Sequence, residues 1–322
     1  MDVTFPKKQL ADWPGVADTH LEVGGRRVRT LRAGGGADQG AEPQLLVHGL
    51  GGSSVTWVEV MAGLAEHGPV AALDLPGFGR TPPGPDDSLT VPGYVELVLA
   101  TADALGWERF ALHGNSMGGL VATLLAARHP DRVTGLVLVS PALPPRFPVR
   151  LLWPARATID GFLPIVSSSI RAAALGALGL AGPELSQQRA RELLKLIYAD
   201  PDAVDPRTLG LMAADFAHGG IDATDRRRAL FGALGSIARI WADPRGAWRA
   251  IERVEAPTLL IGGTKDALVP ARVLRAVLAR RRDWEGHVLD DRRHALMLED
   301  PATYLDLVDD WVERTRPGGA AA

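Results

Sequence analysis

The sequence predicts an α/β fold: a mostly parallel central sheet with helices on both faces, into which a long helix-rich segment is inserted. Three observations lead there. Short apolar runs alternate with longer stretches of helical period, the pattern of strands joined by crossover helices. Several of those runs end in glycine-rich corners, among them His48-Gly49-Leu50-Gly51-Gly52-Ser53 and His113-Gly114-Asn115-Ser116-Met117-Gly118-Gly119. One connection, between Ser140 and Pro257, is more than a hundred residues long, where a parallel crossover needs about a dozen.

In chain order, the glycines and polar residues over 34–40 read as a loop between two early strands. Residues 45–47 form a strand that ends in the His48 corner, and 57–66 have the period of a helix. A strand at 70–73 closes with Asp74-Leu75-Pro76-Gly77-Phe78-Gly79-Arg80-Thr81, a tight surface loop of structural character. A helix over 91–105 leads to a strand at 110–112, then to the serine turn and a helix over 120–128. Residues 136–139 form the next strand. After the long connection come a strand at 257–261, a helix over 271–281, a short strand at 287–289, a last helix over 304–314 and a frayed tail.

Gly114-x-Ser116-x-Gly118 lies between a strand and a helix, the setting of the G-x-S-x-G nucleophile elbow. A serine there has a strained backbone, and glycines two residues away on either side leave room for it. The turn lifts the hydroxyl clear of the sheet and aims a helix N-terminus at a reacting carbonyl. A plain Gly/Ser turn gives the same letters without that context.

With the two glycine-rich corners and the Asp74 loop in this order, the chain resembles the α/β-hydrolase family from about Val23 to Trp311, the central stretch excepted. The resemblance implies a triad in the order Ser, acid, His, with the amides of Leu50 and Met117 as oxyanion donors. It implies Asp266 as the acid, in Gly263-x-x-Asp266-x-x-Val269-Pro270 after the strand at 257–261. A turn aspartate is the competing reading. The family's alternative acid position, after the strand at 136–139, holds Ser140-Pro141-Ala142 and no carboxylate. The resemblance also implies His294 as the base, since His294-Ala295-Leu296-Met297-Leu298-Glu299-Asp300-Pro301 is similar to the family's histidine signature, with Arg293 in place of its usual glycine. Of the other seven histidines, His48 braces the oxyanion corner, His113 is structural at the buried end of its strand, and His287 sits on a strand. His20, His67, His129 and His218 have plain polar contexts.

Composition narrows the function. A 322-residue chain that is 46% hydrophobic and 23% charged has a large core. The net charge of −3 gives no reason to expect nucleic acid or an anionic membrane as partner. The chain has no cysteine, which excludes disulfides, thiolate catalysis and cysteine-held metal. No signal peptide opens the sequence and no apolar run reaches membrane-spanning length, so a cytoplasmic location without stable membrane insertion is expected. No cofactor or metal site is expected.

The domain reading is a core over 1–142 and 247–322 and a helical cap over 143–246. The first part of the cap carries an apolar stripe including Phe162 and Ile165. It either packs on the core or lines an entrance for an apolar substrate. Contact with a lipid surface is a third reading, which Arg156, Asp160 and Arg171 interrupt. The expected activity is cleavage of a carboxylic ester of a small to medium apolar substrate through an acyl-enzyme. The Gly-Asn-Ser-Met-Gly-Gly wording is also similar to hydrolases that cleave carbon–carbon bonds in ring-fission products of aromatic catabolism. Ala295, where those carry tryptophan, and the lack of a proline in the oxyanion corner stand against it. A ligand receptor with a retained triad is the alternative outside catalysis.

Overall fold

The computed structural model describes residues 10, 12–34, 41–146, 197–198, 200, 202–218 and 220–315. The expected Phe162 and Ile165 contacts lie outside those residues. Among the described residues eight strands form one sheet: β1 (Val16–Val23), β2 (Arg26–Ala33), β3 (Gln44–Val47), β4 (Val70–Leu73), β5 (Phe110–Asn115), β6 (Val133–Val139), β7 (Thr258–Gly263) and β8 (Glu285–Leu289). Their order is β1-β2-β4-β3-β5-β6-β7-β8. All neighbours from β4 to β8 are parallel, and β1 and β2 join antiparallel at one edge.

That antiparallel hairpin is absent from the sequence reading. Its signal is the two-residue Gly24-Gly25 connection, where both glycines take positive φ (57° and 76°), the conformation a tight hairpin turn requires. The charged alternation of β1 and β2 hides it, because the residues are Thr, His, Glu and Arg as often as Val or Leu.

The parallel strands are buried on both faces, so they read as unbroken apolar runs. Leu45, Val47, Leu112, Leu138 and Leu260 face one core, while Leu46, Val137, Val139, Leu259 and Ile261 face the other. The first core is covered by α2 (Val91–Ala104), α3 (Met117–Arg128), α6 (Arg245–Arg253) and α7 (Ala271–Arg280). The second is covered by α1 (Val58–Leu64), the short α8 (Leu296–Glu299) and α9 (Pro301–Thr315). Within the long connection lie α4 (Pro206–His218) and α5 (Ala223–Ala242). Helix α6 runs across residue 246, where the sequence reading ends the insertion.

Candidate active site

Strand β5 ends at Asn115 and α3 begins at Met117, so the turn between them is Ser116 alone. The helix starts three residues earlier than its apolar pattern indicates, because Gly118 and Gly119 carry no side chain to mark it. Ser116 has φ +54° and ψ −117°, a strained backbone for a residue with a Cβ. The glycines serve close approach rather than room for the serine itself. A Cβ on Gly114 would lie 2.5 Å from the Gly118 carbonyl oxygen, and one on Gly118 would lie 2.2 Å from that of Val47. The Ser116 amide donates to the Val139 carbonyl at 3.0 Å, and its carbonyl accepts from the Ala142 amide at 2.8 Å. Its side chain is partly exposed, in a cavity that Leu50 and His294 also line.

The glycine-rich corner after β3, where the oxyanion donors are expected, abuts this turn because Val47 of β3 is in register with Gly114 of β5. A Cβ on Gly49 would come within 3.0 Å of the Ser116 Cβ. His48 braces the corner. Its Nε2 accepts from the Leu75 amide at 3.0 Å, so the ring proton is on Nδ1, which donates to the Gly49 carbonyl at 2.7 Å. Burial lowers its pKa and keeps it neutral. Met117 is fully buried at the first position of α3. Neither its amide nor that of Leu50 has a backbone acceptor among the described residues.

Asp266 follows β7 and is buried. Its Oδ1 accepts from the amides of Leu268 (2.8 Å) and Val269 (2.9 Å), and its Oδ2 meets His294 Nδ1 at 2.8 Å. Burial alone would raise its pKa, but the His294 ring and the Val269 amide outweigh burial and hold the carboxyl below its usual range. An ionised carboxylate only accepts, so His294 carries its proton on Nδ1 and leaves Nε2 free to take another. The exposed carboxylates beside this loop, Asp290 and Asp291, do not approach the ring among the described contacts. Asp291 pairs with Lys265 at 3.5 Å.

His294 is also held through its backbone. Its amide donates to the Ile197 carbonyl at 2.9 Å, and its carbonyl accepts from Asn115 Nδ2 at 3.0 Å. Asn115 also donates to the Val139 carbonyl at 3.2 Å, so one side chain ties the serine turn to the histidine loop. Sequence reasoning passed over this role, although Asn115 stands next to the serine. Arg293 fits where the signature has glycine because its φ is not positive; in this loop the positive φ falls on Asp291. His113 is structural, as expected. Its Nδ1 shares a 2.7 Å hydrogen bond with the Tyr304 hydroxyl, and burial pushes its pKa down to about 3.

The cavity around Ser116 has a volume of about 280 Å³. Its walls are apolar, with Leu234, Ile237 and Trp241 from α5, Met212 from α4, and Leu268 and Val269 from the loop after Asp266. No arginine or lysine lines it among the described residues. The arrangement puts the Ser116 hydroxyl and an imidazole held in one tautomer by Asp266 on the wall of the same largely apolar cavity.

A sequence profile of the alpha/beta hydrolase fold matches residues 43–301. The chain is 31% identical over 271 residues to a pimeloyl-[acyl-carrier protein] methyl ester esterase of Neisseria meningitidis, covering 83% of this chain and 92% of that one. Solved structures that share the fold include the following two. One is a carboxylesterase from Bacillus subtilis (TM-score 0.68, 18% identity, 94% of each chain covered). The other is the 2-hydroxy-6-oxo-6-phenylhexa-2,4-dienoate hydrolase from Rhodococcus sp. strain RHA1 (TM-score 0.68, 21% identity, 92% of this chain and 98% of that one).

Proposed function

This chain belongs to the alpha/beta hydrolase fold family and is a hydrolase, and from that premise we propose that it cleaves carboxylic esters of small to medium apolar substrates through an acyl-enzyme on Ser116. The observation that carries the reading is the buried Asp266–His294 hydrogen bond of 2.8 Å, which faces the same apolar cavity as a serine on a strained turn. Ser116 attacks the ester carbonyl while His294 Nε2 takes the hydroxyl proton. Asp266 stabilises the imidazolium that forms. The amides of Leu50 and Met117 meet the charge on the carbonyl oxygen. His294 then returns the proton to the departing alcohol, and water activated by the same imidazole hydrolyses the acyl-enzyme.

The similarity to a methyl ester esterase supports the choice of an ester bond. Carbon–carbon hydrolysis ranks second, for an electrostatic reason. A dienoate carries a carboxylate, and burying one without a cation is costly; the described wall offers none. Residues 143–246 act as the cap that chooses the substrate, with α4 and α5 supplying the wall opposite Ser116. Among the described residues no helix is long and apolar enough to cross a membrane.

The test is an ester panel of increasing chain length run beside a ring-fission dienone, with a serine-directed fluorophosphonate as the covalent probe. Esters are turned over in preference to the dienone, and the probe labels wild type but not Ser116→Ala. Equal labelling of the two proteins, or faster turnover of the dienone, overturns the reading.

A further inference from the structure

A second cavity of about 130 Å³ lies beside the first. Its walls include Gly77, Phe78 and Gly79 from the loop after β4 and Leu230 from α5. The two cavities have three lining residues in common: Gly51, Gly52 and Met212. Two of these have no side chain, so among the described residues the side chain of Met212 is the partition between the chambers. Methionine is unbranched and has three rotatable bonds, which makes it a poor fixed wall and a good adjustable one.

The helix that carries Met212 is fastened to the core one turn further on. Asp215 accepts from Arg80 Nε at 2.6 Å, from Arg29 Nη1 at 3.0 Å and from Ser53 Oγ at 3.0 Å. Arg29 is in turn held by both oxygens of Asp18, at 2.8 and 3.0 Å. Asp215 is therefore buried with its carboxylate already shared among three donors. The acidic edge of the second chamber is satisfied internally and calls for no cation from a ligand. The rest of that wall is glycine backbone, Ser53, the Phe78 ring, Leu230 and the Arg226 side chain, whose Nε donates to the Ile221 carbonyl at 3.2 Å and so is held within the protein. A chamber of this kind accepts hydrocarbon.

We propose that Met212 is the specificity-determining residue that ends the substrate pocket, and that the chamber behind it is a latent extension of the subsite for an unbranched hydrocarbon chain. This rests on the ester-hydrolase reading for its catalytic assay but not for its binding assay. A cavity of about 150 Å³ holds one benzene ring, so the second chamber has room for roughly five carbons. In the wild type, kcat/KM rises close to fourfold per methylene, the gain expected of burial at about 25 cal/mol per Å², until the chain meets Met212.

The experiment compares wild type, Met212→Ala, Met212→Val and Met212→Ala/Leu230→Trp. Each is given p-nitrophenyl esters of C2 to C14 straight-chain acids and, separately, straight-chain 1-alkanols whose affinity is measured by calorimetry. Met212→Ala moves the chain length at which both series level off upward by about three to five carbons. Met212→Val moves it by less, and filling the chamber with tryptophan moves it back. An unchanged break-point in Met212→Ala and Met212→Val overturns the proposal, as does a shifted one that Leu230→Trp leaves in place. If Met212→Ala does not fold, Met212→Val alone decides. If no ester is cleaved, the ester reading fails while the alkanol series still tests the partition.

Discussion

Replacing Asp266 with asparagine exchanges one carboxylate oxygen for an NH2 group, and the hydrogen bonds around the site determine which way the new amide sits. Oδ1 accepts from the amides of both Leu268 and Val269, so that position demands an acceptor. If the amide turned its nitrogen there, the buried Val269 N–H would lose its partner at about 1–3 kcal/mol, and the half-buried Leu268 N–H would lose its own as well. The carbonyl oxygen therefore stays with the loop, and the NH2 group faces His294 Nδ1, 2.8 Å from where the carboxylate was. Nδ1 must then accept, and the ring proton moves to Nε2, the atom that has to take the proton of Ser116. The base is present, correctly placed and in the wrong tautomer. For a serine triad this costs about ten-thousand-fold in kcat, or roughly 5 kcal/mol at 1.36 kcal/mol per decade. The assay is kcat and KM on a short p-nitrophenyl ester, with circular dichroism to show that the variant folds. KM stays within a few-fold because Asp266 touches no substrate. A loss of tenfold or less in a folded variant refutes the reasoning and transfers the orienting role to another carboxylate, with Asp290 and Asp291 the first to examine.

His294→Ala is at least as damaging as Asp266→Asn, since it removes the proton carrier of both half-reactions; a variant that keeps more kcat than Asp266→Asn contradicts this. Asp215→Ala lowers stability by about 3 kcal/mol, the lower end for breaking a buried ion pair, because Arg29 keeps Asp18 and Asp74 as partners. A urea midpoint close to wild type would show that the α4 anchor is dispensable. Asp266 also sets part of the acid limb of stability. Its carboxyl titrates lower in the folded protein than its unfolded value of about 3.9. Its contribution is thus complete above that value and is lost as pH falls through the folded one. Urea midpoints of wild type and Asp266→Asn, compared from pH 5 to pH 3, converge as pH falls; a constant gap means that the carboxylate contributes nothing to that limb.

What could be read in the sequence was whatever carries a local signal. The parallel strands announce themselves because both faces are apolar, as in Leu45-Leu46-Val47 and Leu259-Leu260-Ile261. The serine turn does so because Gly114 and Gly118 have no room for a Cβ. The hairpin of β1 and β2 was missed because an edge strand with polar residues has no such run, and only Gly24-Gly25 marked it. The parts that escaped entirely are long-range. Asn115 reaches 179 positions along the chain to the His294 carbonyl, and Asp215 reaches 186 to Arg29. No periodicity encodes a partner that distant. The cavity wall is of the same kind, since α4 and α5 read only as helices until folding places them opposite Ser116.

The hydrogen bond from the His294 amide to the Ile197 carbonyl has a consequence for anyone recombining this protein with its relatives. Ile197 belongs to the long connection that carries α4 and α5, whereas His294 belongs to the core. His294, the proposed general base, is thus suspended between two parts that a protein engineer would treat as separable modules. A transplanted connection brings with it a new carbonyl, or none, at the point where the His294 amide is held. On the proposed mechanism substrate range and turnover are therefore inherited together, and a swap designed to alter the first will retune the second unless the stretch around Ile197 is kept from the recipient.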